Sequence, residues 1–153
     1  GGTPGTSDPT NRAFAERLRD QIANVHLEAF VNWTGFVPPE DVSAYLQSSD
    51  LGVLPFREGV SLRSGSLLAM LAHGLPVITT EPTVEIPELR HGENIWLVPP
   101  QRPDVIASAI LNLWSHPQLR ERIAGGAREL ARGFGWAEIA AATVEVYHDV
   151  LGT

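Results

Sequence analysis

Two short apolar runs, "LGVLPF" (51–56) and "LPVITT" (75–80), flank an apolar helical stretch that stops at Gly74. A strand with one face in water alternates apolar and polar residues. A run without alternation is buried on both faces, the usual condition of a strand in a parallel sheet. Parallel neighbours need a crossover, and a helix from about Ser64 to His73 with glycine just past its end provides one. A third run of the same kind, "ENIWLVPP" (93–100), follows. Strands alternating with helices predict an α/β fold, a Rossmann-like parallel sheet with helices on both faces.

The rest of the chain is read on the same grounds. Phe14, Leu18 and Ile22 recur at helical spacing, so residues 11–23 are expected to form an amphipathic helix. "VHLEAFVNWTGF" (25–36), rich in β-branched, aromatic and apolar residues, reads as a strand ending at Gly35. "PPEDVSAYLQSSD" (38–50) opens with prolines and acids, which suit a helix N-terminus. Three helices are expected over 103–115, 117–132 and 136–151, with Ile123, Leu130, Ile139, Val146 and Val150 on apolar faces that close the core. The expected organisation is a lobe over residues 1–135 and a C-terminal helix over 136–153 that closes it.

Composition removes whole classes of function. A chain of 153 residues is the size of one domain with a real core. A net charge of −7 argues against nucleic acid as a partner, because nucleic-acid binders carry a basic patch or stripe. It does not exclude a small anionic ligand held in a local pocket. With no cysteine there is no disulfide framework, thiolate metal site or cysteine nucleophile. The five histidines, His26, His73, His91, His116 and His148, are dispersed, and no metal-ligand spacing appears, so no metal is expected. No apolar run is long enough to span a membrane and no signal peptide is visible, so the chain reads as cytoplasmic. The G-x-x-x-x-G-K-[ST], G-x-G-x-x-G and G-x-S-x-G motifs are absent.

Parallel α/β sheets bind ligands beyond the carboxyl ends of their strands. The loops expected there are "GGTPG" (1–5), "TGFVPP" (34–39), "PFREGVSLRSGS" (55–66) and "TTEPTVEIPE" (79–88), each with glycine, hydroxyl or acidic residues. Ser64, Gly65 and Ser66 open the crossover helix, where free backbone N–H groups and the helix dipole favour an anion. Arg63 adjoins them and adds positive charge. Two readings stand side by side here: an anion site, or an ordinary serine N-cap worth about 1 kcal/mol. Glu58 likewise reads either as a solvated loop acid or as a carboxylate facing a ligand.

"GFVP" (35–38), "SDLGVLPFREG" (49–59), "AMLAHGLPVITT" (69–80), "IPELRHGENIWLVPP" (86–100), "HPQLRERIAGGARELA" (116–131) and "GFGWAEIA" (133–140) follow one another in an order and spacing specific to one family. From about residue 25 to 151 the chain resembles the C-terminal, donor-binding lobe of GT-B retaining glycosyltransferases, glycosyltransferase family 4 (group 1). The resemblance implies a nucleotide-diphosphate sugar as donor substrate, with no further cofactor. Its pyrophosphate would rest on the helix start at Arg63, Ser64, Gly65 and Ser66. Glu58 matches the first of the family's paired glutamates and would orient the donor sugar. Gly35, Phe36 and Val37 would border the base, and the loop containing Gly2 would approach the nucleotide.

Two departures from the family pattern matter. The second glutamate belongs eight positions after the first, where this chain has Ser66, and Leu68 stands before "AML". A serine holds a ribose hydroxyl less strongly than a carboxylate does. Either the chain represents a variant subfamily with its own loop, or the site has lost activity. The family's lobe also begins with a strand, a basic glycine loop and a helix that would precede Gly1. The chain is therefore expected to be part of a longer enzyme completed by an acceptor-binding N-terminal lobe, inactive alone, and prone to pair through exposed strand edges. The alternatives are a non-catalytic nucleotide-sugar-binding or interaction module and, as a third option, an epimerase, for which no acid/base constellation is visible. A cytoplasmic location peripheral to a membrane also fits.

Overall fold

The structure, a computed structural model, describes residues 9–152, and for residues 9–12 and Trp136 the backbone alone. It divides into two compact units, Gly1–Ala44 and Tyr45–Thr153.

In the first unit, helix α1 runs from Pro9 to Asn24. It unwinds through His26, which takes a left-handed backbone (φ 57°). A three-residue 3₁₀ turn, Glu28–Phe30, follows, and then irregular chain through Gly35 (φ 64°). Residues 25–36 are thus not the strand that their composition predicts. β-Propensity measures how well a side chain fits a paired, half-buried surface, and a strand needs a neighbour for its backbone groups. Among its described residues the first unit holds no strand that could pair with this stretch. The Arg19 guanidinium instead lies over the Trp33 ring, 5.1 Å from its centroid. Helix α2, Pro39–Ser48, begins with Glu40 and Asp41 in its first turn, where acids complement the helix dipole.

The second unit carries the sheet. Strand β1 (Gly52–Leu54), helix α3 (Gly65–Ala72), strand β2 (Val77–Thr80) and strand β3 (Trp96–Val98) are followed by helices α4 (Pro103–Ser115), α5 (Pro117–Arg132) and α6 (Trp136–Leu151). The sheet is parallel, in the order β1-β2-β3, with Ile78 opposite Val53 on one side and Trp96 on the other. Every residue of β2 is buried, as its unbroken apolar run requires.

Alternation along β2 separates two cores. Val77 packs in a cluster with Leu67 and Leu71 of α3 and with Ala127 of α5. Ile78, pointing to the other face, packs with Ala109 and Leu113 of α4 and with Ile123 of α5. Helices therefore cover both faces, α3 on one and α4 on the other, and α5 serves both clusters. Of the residues expected to close the core, Ile123 is buried and Leu130 packs at its margin. Ile139, Val146 and Val150 of α6 are exposed, which corrects that part of the reading.

Among the described strands, β3 is an edge. Val98 offers its carbonyl to Glu81 N–H on the β2 side, at 2.8 Å, so by alternation Leu97 faces outward. The Leu97 N–H donates to Nδ1 of His91 at 3.1 Å, and the Ile95 carbonyl accepts from Gly92 N–H at 2.8 Å. The His91 ring also leans on Trp96, centroid to centroid 4.4 Å. One histidine thus blunts an edge that would otherwise offer a free donor. Asn94 is buried with both ends of its amide bonded: Oδ1 accepts from Arg90 N–H and Nδ2 donates to the Glu88 carbonyl, both at 2.8 Å.

Candidate functional site

The carboxyl ends of β1 and β2 carry the loops on which the expected site residues of the second unit fall. After Leu54 the chain makes a turn at Arg57–Glu58, a second at Leu62–Arg63, and enters α3. Ser64 is the N-cap in an extended conformation (φ −74°, ψ 110°), and its hydroxyl accepts from Leu67 N–H at 3.3 Å. The serine-cap reading is therefore realised at Ser64. The cap leaves the N–H groups of Gly65 and Ser66, the first residues of the helix, without partners inside it. Gly65 and Ser66 are exposed, and a Cβ added at Gly65 would meet nothing within 4 Å. Arg63 is exposed beside them. The helix start is open to an incoming group.

Three threonines hold the β1 loop in place. Thr79 Oγ1 donates to the Leu54 carbonyl at 2.7 Å and Thr80 Oγ1 to the Phe56 carbonyl at 2.8 Å. Both threonines are buried, so these bonds also remove the cost of desolvated hydroxyls. Thr83 Oγ1 donates to the Glu58 carbonyl at 2.6 Å. Between these anchors Gly59 takes φ 84°, and a Cβ on it would strike the Glu81 carbonyl and stand 2.9 Å from Thr83 N. Only glycine satisfies both the left-handed backbone and that approach. The backbones of 58–59 and 81–83 are thus in direct contact. The Glu58 side chain is exposed, and among the described residues it has no ion-pair partner.

Gly35, Phe36 and Val37 belong to the first unit, where Gly35 has a left-handed backbone and Phe36 is 84% exposed. Gly2 lies outside the described residues. Two cavities of the second unit stand apart from Glu58 and the α3 start: one of about 480 Å³ lined by Glu88, Arg90, Asn94 and Glu129 among others, and one of about 340 Å³ over His91, Trp96 and α4. Among the described residues no group of three or more His, Asp or Glu is placed to hold a metal ion. No described helix is long and apolar enough to cross a membrane. Sequence reasoning placed Gly59, Thr79, Thr80 and Thr83 in the loops of this region but assigned none of them a role. "EG" and "TTEPT" are the only local traces of a contact that joins residues about 25 apart.

The fold and this crest of loops define a Rossmann-like domain of the kind that takes its ligand at the carboxyl edge of a parallel sheet. Comparison narrows the class. The profile of the family described as "Glycosyl transferases group 1" matches residues 5–116, and the chain belongs to that family. It is 33% identical over 105 residues (63% of the chain) to the amylovoran biosynthesis glycosyltransferase AmsK of Erwinia amylovora. It is 30% identical over 139 residues (91% of the chain) to the phosphatidyl-myo-inositol mannosyltransferase of Mycobacterium leprae. The chain spans 25% and 36% of the lengths of those two relatives.

Solved structures agree on the fold, that of a GT-B C-terminal domain. The C-terminal domain of the group 1 glycosyl transferase LpcC from Francisella tularensis superposes with a TM-score of 0.70 at 24% identity, covering 82% of this chain and 64% of that one. Anabaena HepE, solved in complex with UDP, superposes with a TM-score of 0.78 at 18% identity, covering 95% of this chain and 39% of its own. HepE has also been solved with UDP-glucose.

Proposed function

We propose that the chain is the donor-binding half of a retaining glycosyltransferase, which moves a sugar from a nucleotide-diphosphate sugar to an acceptor. The observation that carries this reading is the anchoring of the Glu58 loop beside the open start of α3, at the carboxyl edge of a sheet in a group 1 chain. In this reading the diphosphate sits on the N–H groups of Gly65 and Ser66, with the charge of Arg63 close by and the Ser64 hydroxyl at its border. Backbone donors and a helix dipole aimed there stabilise the negative charge that develops on the leaving diphosphate. The Glu58 carboxylate accepts hydrogen bonds from sugar hydroxyls and orients the ring; it is not assigned the part of a nucleophile. Gly35, Phe36 and Val37 border the base and Gly2 the nucleotide. The nucleotide sugar is the donor substrate and no cofactor is invoked. The acceptor and any base acting on it are assigned to an acceptor-binding N-terminal lobe. We assign it to the cytoplasm or to a membrane surface facing it. As in the sequence reading, residues 1–135 would form the lobe and 136–153 its C-terminal helix.

A second reading, a module that binds nucleotide sugar without catalysis, draws on one observation. Ser66 stands eight residues after Glu58, with Leu68 before the Ala69-Met70 pair. Calorimetric titration of the chain with UDP, GDP and their sugar conjugates tests the shared claim of donor binding. Saturable binding of one nucleotide sugar, weakened by Glu58→Ala and by Ser66→Ala, is expected. Absence of binding for all of them would overturn it. Transfer to water or to an acceptor by a longer form carrying both lobes then separates an enzyme from a binding module.

A further inference from the structure

Among the three threonine anchors, Thr83 differs in one respect. Thr79 and Thr80 are buried, and their hydroxyls would be desolvated without the carbonyls of Leu54 and Phe56. Thr83 and Glu58 are both exposed, so water is available to either group, yet the Thr83 hydroxyl is spent on the Glu58 carbonyl at 2.6 Å. Burial does not demand this bond. Its effect is geometric: it fixes the backbone of the one residue whose carboxylate is assigned to the sugar.

Gly59 extends the same effect. The backbone at Glu81–Thr83 lies where a Gly59 Cβ would be, with Thr83 N at 2.9 Å and Pro82 Cα at 3.0 Å from that point. Glu58 therefore cannot shift towards this side without displacing Pro82 and Thr83. One residue further along, Val60 N–H donates to the Thr80 carbonyl at 3.3 Å. The residues on either side of Glu58 in this loop, Phe56 and Val60, are thus both bonded to Thr80, and Glu58 itself to Thr83.

We propose that Thr83 is a positioning residue of the donor site: its hydroxyl locks the Glu58 backbone onto the loop after β2, so that the Glu58 carboxylate meets the donor sugar in one fixed place. The proposal rests on the donor-site reading above and adds to it the residue that sets the sugar-facing carboxylate. A carboxylate on an unlocked loop must be ordered when the sugar binds, and that ordering subtracts from affinity. The diphosphate, held by α3, is indifferent to the lock. Thr83 therefore acts on the sugar half of the donor and not on the nucleotide half.

The test is a pair of titrations on the whole chain, UDP-glucose against UDP and GDP-mannose against GDP, for the wild type, Thr83→Val, Thr83→Ser and Glu58→Gln, with melting temperatures for each. In the pair that the wild type binds, Thr83→Val is expected to weaken the sugar nucleotide about tenfold, the size of one lost hydrogen bond, and to leave the bare nucleotide within about twofold. Thr83→Ser, which keeps the hydroxyl, is expected to retain wild-type affinity. Glu58→Gln is expected to weaken the same ligand without altering the melting temperature. The positioning role is overturned if Thr83→Val binds sugar nucleotide and nucleotide as the wild type does, if both weaken equally, or if serine fails to rescue. A wild type that binds neither pair overturns the donor-site reading itself, and the role of Thr83 with it.

Discussion

Tyr45–Thr153 contains two buried clusters, one on each face of β2, whereas none of the described side chains between residues 13 and 44 of Gly1–Ala44 is buried. Both units hold stretches of strand-like composition. "LPVITT" becomes a strand because β1 and β3 lie on either side of it and accept its backbone. "VHLEAFVNWTGF" has the same chemistry but no strand beside it among the described residues of its own unit, and it settles into a 3₁₀ turn and irregular chain with Phe30 83% exposed. What distinguishes the two is the supply of partners, not the residues themselves.

The comparison is most easily broken by truncation. Leu71→Ala, in the α3 core, is expected to cost about 2–5 kcal/mol in urea unfolding, and Phe30→Ala no more than about 0.5 kcal/mol. Equal costs would mean that the first unit has a core of its own. Within the second unit two glycines sharpen the contrast between a packed loop and an open helix start. Gly59→Ala is expected to cost about 1–3 kcal/mol, since it forces a side chain into a left-handed backbone and against Glu81 and Thr83. Gly65→Ala meets open space at a helical position and is expected to be neutral or to stabilise by less than about 1 kcal/mol. Thermal melts of the two variants check the difference in sign.

The edge of the sheet gives a smaller effect. His91→Ala removes the acceptor for Leu97 N–H and is expected to cost about 1 kcal/mol and to speed hydrogen exchange at that one amide. Unchanged exchange at Leu97 would show that the imidazole is not what protects the edge. The smallest effect is a surface pair at the start of α4. Hydrogen bonds from Arg102 hold the Asp104 carboxyl well below the usual range, at about 2. Because the folded pKa is the lower one, the pair's small contribution is present above the ordinary carboxylate range. It is lost as pH falls through about 2. Arg102→Leu should therefore trail the wild type slightly at neutral pH, converge with it in strong acid, and converge also in high salt.

Several elements were legible because punctuation and pattern agreed. Pro103 and Pro117 sit at helix starts, Gly74 takes a left-handed backbone just after α3, and all three C-terminal helices span the residues that the pattern assigned. The position of Ser64 at the start of α3 was equally legible, since a serine before an apolar run is a local signal. The contacts that organise the loops were not. A threonine hydroxyl bonded to a carbonyl 24 or 25 residues away leaves no periodicity, and Gly59 reads as an ordinary turn glycine until Glu81–Thr83 is seen lying on it. The exposed face of α6 was illegible for a related reason: Ile139, Val146 and Val150 show a helical stripe, but a stripe does not say what it faces.

The central claim is that a nucleotide sugar is held where the β1 and β2 loops meet the start of α3. Hydrogen–deuterium exchange of the chain with and without saturating UDP-glucose, and likewise GDP-mannose, tests it most directly. The account predicts that the ligand which binds slows exchange at residues 57–66 and 81–83 while α4 and the cavity between 87–94 and 126–130 are unchanged. Protection confined to that cavity, or no protection anywhere at saturating ligand, would contradict it.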